Sequence, residues 1–390
     1  MTSLPDSART TAWLLPAETP PPELFGLSGE ERLRRVLAKA GVACIAVGDP
    51  PEPKPSGPTL LLRSDWLFDE RLVGALLESE DTLLQSRDGQ AVAAKVSGAL
   101  VDEARTVVAG RHPAEGLPAS LPRVGPDDLV PAYTHALRKR EPALLVAAGA
   151  VTPAELEQRL FDASYKGITD FITKYVWPKP ALPVVRACAR LGVSANAITG
   201  VNWLLVGLAL GLFAVGQFAA GLAAAWLMTF LDTVDGKLAR VTLSSSRIGH
   251  VLDHGLDIVH PPFWYAAWGL ALPAAPWLDA AMAAAVGGYV VHRGVEGLFM
   301  LCFGIEIHSW RALDARFRLI TTRRNPNLVL LSAGTAAGRP DVGFALVALW
   351  TVASIAFHLV RVVQAGFVSW RGVPIRGGYE PGEATERGAR

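Results

Sequence analysis

The sequence predicts an α-helical polytopic membrane bundle of about six transmembrane helices, preceded by a soluble α/β domain. Hydrophobic residues make up 51% of the chain and charged residues 19%, and the charged residues concentrate towards the N-terminus. From about residue 196 onward, apolar runs reach the length that a membrane helix needs. The formal net charge is +1, so composition provides no overall positive field for nucleic acid.

Residues 1–145 have the pattern of a soluble, cytoplasmic α/β domain. Helical and apolar strand segments alternate, which predicts a layered domain with a mostly parallel sheet. The segments are a helix at residues 30–40, a strand at 42–47, a loop at 50–58, a strand at 59–63 and a helix at 70–77. The N-terminal residues lack the pattern of a signal peptide. Cys44, Cys188 and Cys302 lack metal-ligand spacing, which favours inert thiols in a reducing compartment.

Residues 146–195 are predicted to link the soluble domain to the membrane part. Residues 167–178 mix aromatic side chains with lysines, as an amphipathic helix at the headgroup level does. We expect Pro178 and Pro180 to end this helix. An ordinary linker helix packed on the soluble domain fits the same pattern equally well.

The membrane domain is predicted to cover residues 196–365, and residues 366–390 are predicted to form a disordered tail. The six apolar segments are residues 198–215, 218–232, 251–272, 278–303, 328–337 and 342–359. The fifth is too short to cross a bilayer core of roughly 30 Å. We therefore expect it to extend towards the N-terminus or to be shielded by its neighbours.

Basic residues predict the orientation of these helices. They precede the first segment and lie between the second and third and between the fourth and fifth, whereas the alternate loops carry almost none. By the positive-inside rule, both termini face the cytoplasm, which predicts a multi-pass protein of the cell inner membrane.

Four aspartates interrupt the apolar sequence around the end of the second segment and the start of the third. Asp232, Asp235, Gly236 and Ala239 have the i, i+3, i+4, i+7 spacing that places side chains along one helix face. A second stripe follows at i, i+4 and i+8; its members are Gly249, Asp253 and Asp257. Because ionised carboxylates at membrane depth are costly, we expect bound cations to compensate for them.

The ligand types favour a site for two Mg²⁺ or Mn²⁺ ions. Carboxylates without histidine or cysteine suit hard divalent cations, which also bind substrate phosphates. Gly236 and Ala239 leave space beside the ions, and Arg240 offers a planar fork for phosphate oxygens. The pattern therefore indicates a diphosphate site, although carboxylates solvated in a loop between two helices are an alternative.

The string D-x2-D-G-x2-A-R-x8-G-x3-D-x3-D resembles the signature of the CDP-alcohol phosphotransferases, and the resemblance covers roughly residues 160–365. It implies transfer of a phosphatidyl or related substituted phosphoryl group from a CDP-linked lipid donor to an alcohol, with release of CMP, in phospholipid biosynthesis. It also implies that Asp232, Asp235, Asp253 and Asp257 hold the metals and that Asp257 is the general base. Gly236, Ala239, Arg240 and Gly249 would line the nucleotide side. We also expect a homodimer.

Two alternatives to transferase activity remain open: a non-catalytic protein that binds CDP-lipid, and a hydrolase with water as the acceptor. For a transferase, the acceptor could be a polyol phosphate, such as inositol phosphate or glycerol phosphate, and a second cluster of cations should then face the cavity. Arg293 is one candidate, unless it is only the ion-pair partner of Glu296. Arg323 with Arg324 is another. His254 and His260 are expected to pack as neutral side chains.

Residues 194–199 resemble the stretch that opens the first membrane helix in many of these enzymes. Asn196 and Thr199 either bind donor phosphates or cap this helix. Capping is the simpler interpretation, and both residues remain candidates for the donor site.

The order of segments in residues 1–145 also resembles, more weakly, the nucleotidyltransferase-like domain fused to this membrane module in some enzymes. Asp65, at a strand end, lies where that fold holds a metal-binding aspartate. The equivalent of the glycine-rich phosphate loop, residues 15–23, has no glycine and three consecutive prolines, which removes amide donors. We therefore predict a degenerate domain, in which Asp65 is a solvated strand-end residue.

Overall fold

The structure is a computed structural model, and it describes residues 10–16, 21–48, 57–245 and 247–377; the side chains of residues 247, 248, 250 and 252–254 fall outside that description. The chain divides into two compact units. The first comprises Met1–Thr134, Glu141–Ser164 and Arg240–Ser244, and the second comprises His135–Arg140, Tyr165–Ala239 and Ser245–Arg390.

The first unit is the predicted sheet-containing domain. Its elements are β1 (Thr11–Leu15), α1 (Gly29–Lys39), β2 (Cys44–Val47), β3 (Thr59–Arg63), β4 (Trp66–Phe68), α2 (Glu70–Glu78), β5 (Thr82–Gln85), β6 (Ala91–Val96), α3 (Leu100–Val108), β7 (Arg123–Val124), α4 (Pro126–Leu129), β8 (Tyr133–Thr134), β10 (Leu145–Ala147) and α5 (Pro153–Ala163). The short strand β9 (Lys139–Arg140) belongs to the second unit. The predicted segments at α1, β2, β3 and α2 are confirmed within one or two residues. The predicted loop at residues 50–58 lies mostly outside the described residues.

The main sheet is mostly parallel, as predicted, with one antiparallel strand, β6. Its order is β2-β1-β3-β6-β5-β7. Strand β1 pairs in parallel with β2 and β3, whereas β6 is antiparallel to both β3 and β5. The cause is local: β5 and β6 are joined by a tight turn at Gly89, whose φ of 79° suits glycine, and such a turn forces antiparallel pairing.

Strand β1 was not predicted. Its burial pattern shows that it lies inside the sheet, and Trp13 within it is 1% exposed. The run Thr11–Leu15 is only five residues long and carries no period-2 alternation, because a central strand of a parallel pairing is buried on both faces.

Helices dominate the second unit. A π-helical turn (Ile172–Val176) precedes α6 (Pro178–Arg190), α7 (Ala195–Ala214), α8 (Phe218–Val241), α9 (Arg247–Leu270), α10 (Leu278–Met282), a second π-helical turn (Ala283–Gly287), α11 (Gly288–Phe303), α12 (Ala312–Phe317), α13 (Arg324–Ala336) and α14 (Pro340–Trp370). The last two residues of α8 fall in the first unit. Helices therefore occupy all six predicted apolar segments.

Within the part of the chain that the structure describes, three helices are long and apolar enough to cross a membrane: α7, α8 and α14. The number of six spans therefore remains a prediction. Helix α13 does extend towards the N-terminus, as expected, but its 13 residues cover only about 20 Å at 1.5 Å per residue.

Two predicted boundaries are wrong. Pro178 begins helix α6 instead of ending the preceding one, because proline at the first helical position needs no N–H partner and already has a helical φ. At the other end, α14 runs to Trp370, beyond the predicted start of the tail at residue 366. Val368 packs against the cluster that contains Phe299, and this contact keeps the last turns helical.

Helices α13 and α14 form a close hairpin. A Cβ atom added to Gly334 of α13 would lie 2.5 Å from the Cα atom of Gly343 on α14, so backbone meets backbone there. Beside it, the core of the unit contains the fully buried side chains of Phe213, Trp268 and Phe344.

Candidate active site

The two aspartate stripes lie on helices α8 and α9, as their spacing predicts. Helix α8 is continuous from Phe218 to Val241 and carries Asp232, Asp235, Gly236, Ala239 and Arg240; helix α9 carries Gly249, Asp253 and Asp257. The alternative of carboxylates in a loop is therefore wrong. The side chains of Asp253 and His254 lie outside the described residues.

Asp235 is the most deeply buried of the motif aspartates whose side chains the structure describes, with 3% of its surface exposed. Its Oδ2 accepts hydrogen bonds from the Thr199 hydroxyl at 2.8 Å and from the Asn202 amide at 3.1 Å. Both donors are neutral and come from α7, so they orient the carboxylate without cancelling its charge. Asn202 itself is fully buried, and its Oδ1 has no hydrogen-bond partner among the described residues.

Asn202 was missed from the sequence, although its position, three residues after Thr199, places it on the same helix face. The expectation that Asn196 or Thr199 caps α7 is wrong, because Ser194 accepts the capping bond from the Ala197 amide at 3.2 Å. Asn196 is exposed, and its role in the donor site remains a prediction.

Asp232 and Asp257 meet at one guanidinium. Arg324, the first residue of α13, donates from Nη2 to Asp232 Oδ2 at 2.6 Å and from Nη1 to Asp257 Oδ1 at 2.7 Å. The Asp257 side chain is 46% exposed, while those of Asp232 and Arg324 are each 14% exposed. The structure thus brings carboxylates from both stripes to one point, and oxygen-only ligands of this kind fit a hard divalent cation.

The start of α13 is anchored by polar contacts of its second residue. Asn325 donates to Asp170 Oδ1 at 2.9 Å and to the Thr173 hydroxyl oxygen at 3.1 Å. Asp170 also accepts bonds from the backbone and hydroxyl of Thr173. These buried contacts hold Arg324 opposite the aspartates.

A second polar cluster surrounds Glu296 on α11. Arg293 and Arg323 both donate to Glu296 Oε2, at 2.8 and 2.7 Å. Arg293 is therefore an ion-pair partner of Glu296, as one of the two alternatives required. His308 lies 2.9 Å from Glu296 Oε1, and burial holds the pKa of this loop histidine well below its usual range. His308 is consequently neutral at pH 7 and donates Nε2–H to the carboxylate.

The same cluster contains the fully buried His292 and His358, whose rings stack with centroids 4.6 Å apart. Ligand atoms of His292, Glu296 and His358 lie within 4.8 Å of one another. The two arginines on Glu296 leave this cluster with excess positive charge, which opposes a metal cation there. His260 packs against Trp264 and bonds to the Leu256 carbonyl oxygen, in agreement with a packing role.

In the first unit, Asp65 is not a free strand-end carboxylate. Arg63 donates two bonds to it, at 2.9 and 2.6 Å, and this pair lines a cavity of about 940 Å³ at the carboxyl ends of β1 and β3. A pocket at this edge is where open α/β sheets bind ligands. Residues 17–20 of the glycine-free loop lie outside the described residues.

Comparisons with known proteins bear on the helical unit. Residues 192–302 match the family model of the CDP-alcohol phosphatidyltransferases. Phosphatidylinositol phosphate synthase of Mycobacterium marinum is 28% identical over 108 residues, which are 26% of this chain and 46% of that protein. The bifunctional IPC transferase and DIPP synthase of Rubrobacter xylanophilus is 32% identical over 163 residues, 40% of this chain and 34% of that protein. The chain thus spans less than half the length of these curated relatives.

Among solved structures, Mycobacterium tuberculosis phosphatidylinositol phosphate synthase with CDP-DAG bound is similar at 20% identity and a TM-score of 0.36, over 47% of this chain and 94% of that one. A second structure of that protein, in complex with manganese and citrate, gives the same TM-score and identity over 46% of this chain and 88% of that one.

Proposed function

We propose that the protein, whose residues 192–302 match the family model of the CDP-alcohol phosphatidyltransferases, transfers a phosphatidyl or related substituted phosphoryl group from a CDP-linked lipid to an alcohol, with release of CMP. The observation that carries the proposal is the convergence of Asp232 and Asp257, from two different helices, on one cation beside the buried Asp235.

Four carboxylates would hold the cofactor: Asp232, Asp235, Asp253 and Asp257. Two Mg²⁺ or Mn²⁺ ions bound there would neutralise the donor diphosphate and the charge that develops on the leaving CMP. Thr199 and Asn202 fix the orientation of Asp235, because hydrogen bonds to a ligating carboxylate limit its rotation. Gly236, Ala239, Arg240, Gly249 and Asn196 would line the donor side, where Arg240 would pair with phosphate oxygens.

Asp257 is proposed as the general base. It would take the proton of the acceptor hydroxyl as the acceptor oxygen attacks the phosphorus and the bond to CMP breaks. Its side chain is the most exposed of the described site aspartates, so an acceptor in the cavity can come within hydrogen-bonding distance of it.

The acceptor is proposed to be a polyol phosphate such as inositol phosphate. Curated relatives are named phosphatidylinositol phosphate synthase, and the cluster around Glu296 carries two arginines on one carboxylate, an excess of positive charge that favours an anionic acceptor. Glycerol phosphate is the second acceptor to test.

The experiment measures CMP release from CDP-diacylglycerol in vesicles, with Mn²⁺ or Mg²⁺, across a panel of alcohols with and without phosphate. Release that requires a particular alcohol supports the transferase. Release without any added alcohol identifies a hydrolase, and absence of release with intact CDP-lipid binding identifies a binding protein. Asp232→Ala is the inactive control, and Asp341→Ala, which removes a carboxylate that pairs with Arg339 in the first turn of α14, is its matched active control.

The remaining proposals concern arrangement in the cell. Both termini and the aspartates are proposed to face the cytoplasm, since the basic residues lie on that side, and the protein is proposed to form a homodimer. Accessibility of single engineered cysteines to a membrane-impermeant reagent tests the first, and the mass of the protein in detergent tests the second.

A further inference from the structure

Arg324 is the only cation that the described hydrogen bonds place on two aspartates of the candidate metal site. Its two terminal nitrogens each contact a carboxylate oxygen, one on α8 and one on α9, at 2.6 and 2.7 Å. Charge-assisted bonds of this length are among the stronger ones in proteins. The guanidinium therefore links the two helices that carry the motif.

We propose that Arg324 is a built-in counter-cation that binds Asp232 and Asp257 before the metal does and leaves them when a divalent cation binds. The inference rests on the proposed function, because it requires the aspartates to be metal ligands. It adds a consequence that the motif does not contain: metal binding and the release of Asp257 as a base are the same event.

The Arg324 guanidinium and a divalent metal ion exclude each other from these carboxylates because they repel each other and because they need the same oxygen atoms. A divalent ion ligated by Asp232 and Asp257 would lie within a few ångströms of the guanidinium, where like charges in a poorly solvated site repel strongly. The ion would also compete for the oxygens that now accept from Arg324. Asp235 differs, because its donors, Thr199 and Asn202, are neutral and can remain in place when the ion binds.

The contacts at the start of α13 hold the helix in place, so only the Arg324 side chain needs to move when the metal binds. Asn325 is 3% exposed and Asp170 is 7% exposed, and their contact fixes the backbone next to Arg324. The arginine side chain, by contrast, has several rotatable bonds, so it can leave the aspartates without movement of the helix.

The test is Mn²⁺ binding to the full-length protein in detergent, followed by the EPR signal of the free ion, for the wild type and for Arg324→Gln. We expect roughly tenfold tighter binding, or more, in Arg324→Gln, because the competing cation is absent. Arg339→Gln is the matched control, since Arg339 pairs with Asp341 in an exposed turn; its affinity should equal that of the wild type.

Thermal unfolding, measured without metal and with Mn²⁺, provides a second test. Without metal, Arg324→Gln should unfold at a lower temperature than the wild type, because two carboxylates lose their partner. With saturating Mn²⁺, the variant should gain more in Tm than the wild type does. Arg324→Lys, which can contact only one carboxylate at a time, should be intermediate in both measurements and tests the proposal if the glutamine variant does not fold.

Three outcomes decide the matter. Unchanged or weaker Mn²⁺ affinity in both Arg324 variants, with Mn²⁺ binding and CMP release intact in the wild type, overturns the exchange and leaves the proposed function standing. Binding of Mn²⁺ to neither the wild type nor the variants overturns the metal site and the exchange together. Tighter binding in the variants supports the exchange, whatever the acceptor proves to be.

Discussion

Two clusters in the helical unit pair arginines with carboxylates, but with opposite charge balance. Around Arg324, one guanidinium donates to two carboxylates, those of Asp232 and Asp257. Around Glu296, one carboxylate accepts from two guanidiniums. Arg318 adds to the second cluster: it is 9% exposed, and burial, then the charge of Arg323, lowers its pKa to about 9. The first cluster therefore favours added cations and the second favours an added anion.

The difference shows why residue type alone does not identify a metal site. Histidines and a glutamate close together, as at His292, Glu296 and His358, look like a better ligand set than aspartates do. The arginines decide otherwise, because their charge must be counted with that of the ligands.

The largest expected effect is the loss of turnover in Asp257→Asn. The amide has the same shape but cannot accept a proton, so CMP release should fall by about 10²–10⁴-fold, while binding of CDP-lipid remains. Single-turnover rates together with donor binding check this. Wild-type activity in Asp257→Asn would remove the assignment of the base.

Glu296→Gln tests the cluster around Glu296, where positive charge is in excess. Because it leaves two partly buried guanidiniums, 24% and 27% exposed, without their anion, we expect a loss of stability of at most about 3 kcal/mol, measured as a lower Tm. Added Mn²⁺ should not restore it, in contrast to Arg324→Gln. Restoration by Mn²⁺ would show that the Glu296 cluster also favours an added cation, and so does not differ from the Arg324 cluster in charge balance.

Asn202→Ala and Thr199→Val should each weaken Mn²⁺ binding by about 10–100-fold, because they remove hydrogen bonds that orient Asp235. Asn196→Ala, on the same helix but exposed, serves as the control for metal affinity. If all three variants bind Mn²⁺ as tightly as the wild type does, Asp235 does not ligate the ion.

The smallest effect is expected in the sheet-containing unit, at the pair Arg63 and Asp65. These side chains are 22% and 27% exposed, and Asp65→Asn should cost no more than about 1 kcal/mol of stability and leave CMP release unchanged. A full-length protein that forms a CDP-alcohol from CTP and an alcohol phosphate, and loses this activity in Asp65→Asn, would contradict the predicted degeneracy of this unit.

The sequence predicted the parts of the site that depend on local periodicity. Spacings of three and four residues placed Asp232 with Asp235, and Asp253 with Asp257, each pair on one helix. It could not predict the partner of these residues: Arg324 lies 92 residues from Asp232 and 67 from Asp257, and only the packing of α13 brings them together. In the sheet, the strands predicted were those with strong apolar runs, whereas β1 and the β5–β6 hairpin depend on tertiary pairing and a tight turn.

The glycine contact between α13 and α14 has a consequence for timescales. Gly334 and Gly343 meet through backbone atoms, so at that contact no side-chain rotamer change lets the helices slide past one another. At the other end of α13, the contact between Asn325 and Asp170 favours motion of the Arg324 side chain over motion of the helix. Rotamer changes of exposed side chains take picoseconds to nanoseconds, whereas helix shifts take microseconds or longer. A rigid hairpin with a mobile terminal side chain can thus exchange ions quickly while its geometry stays constant.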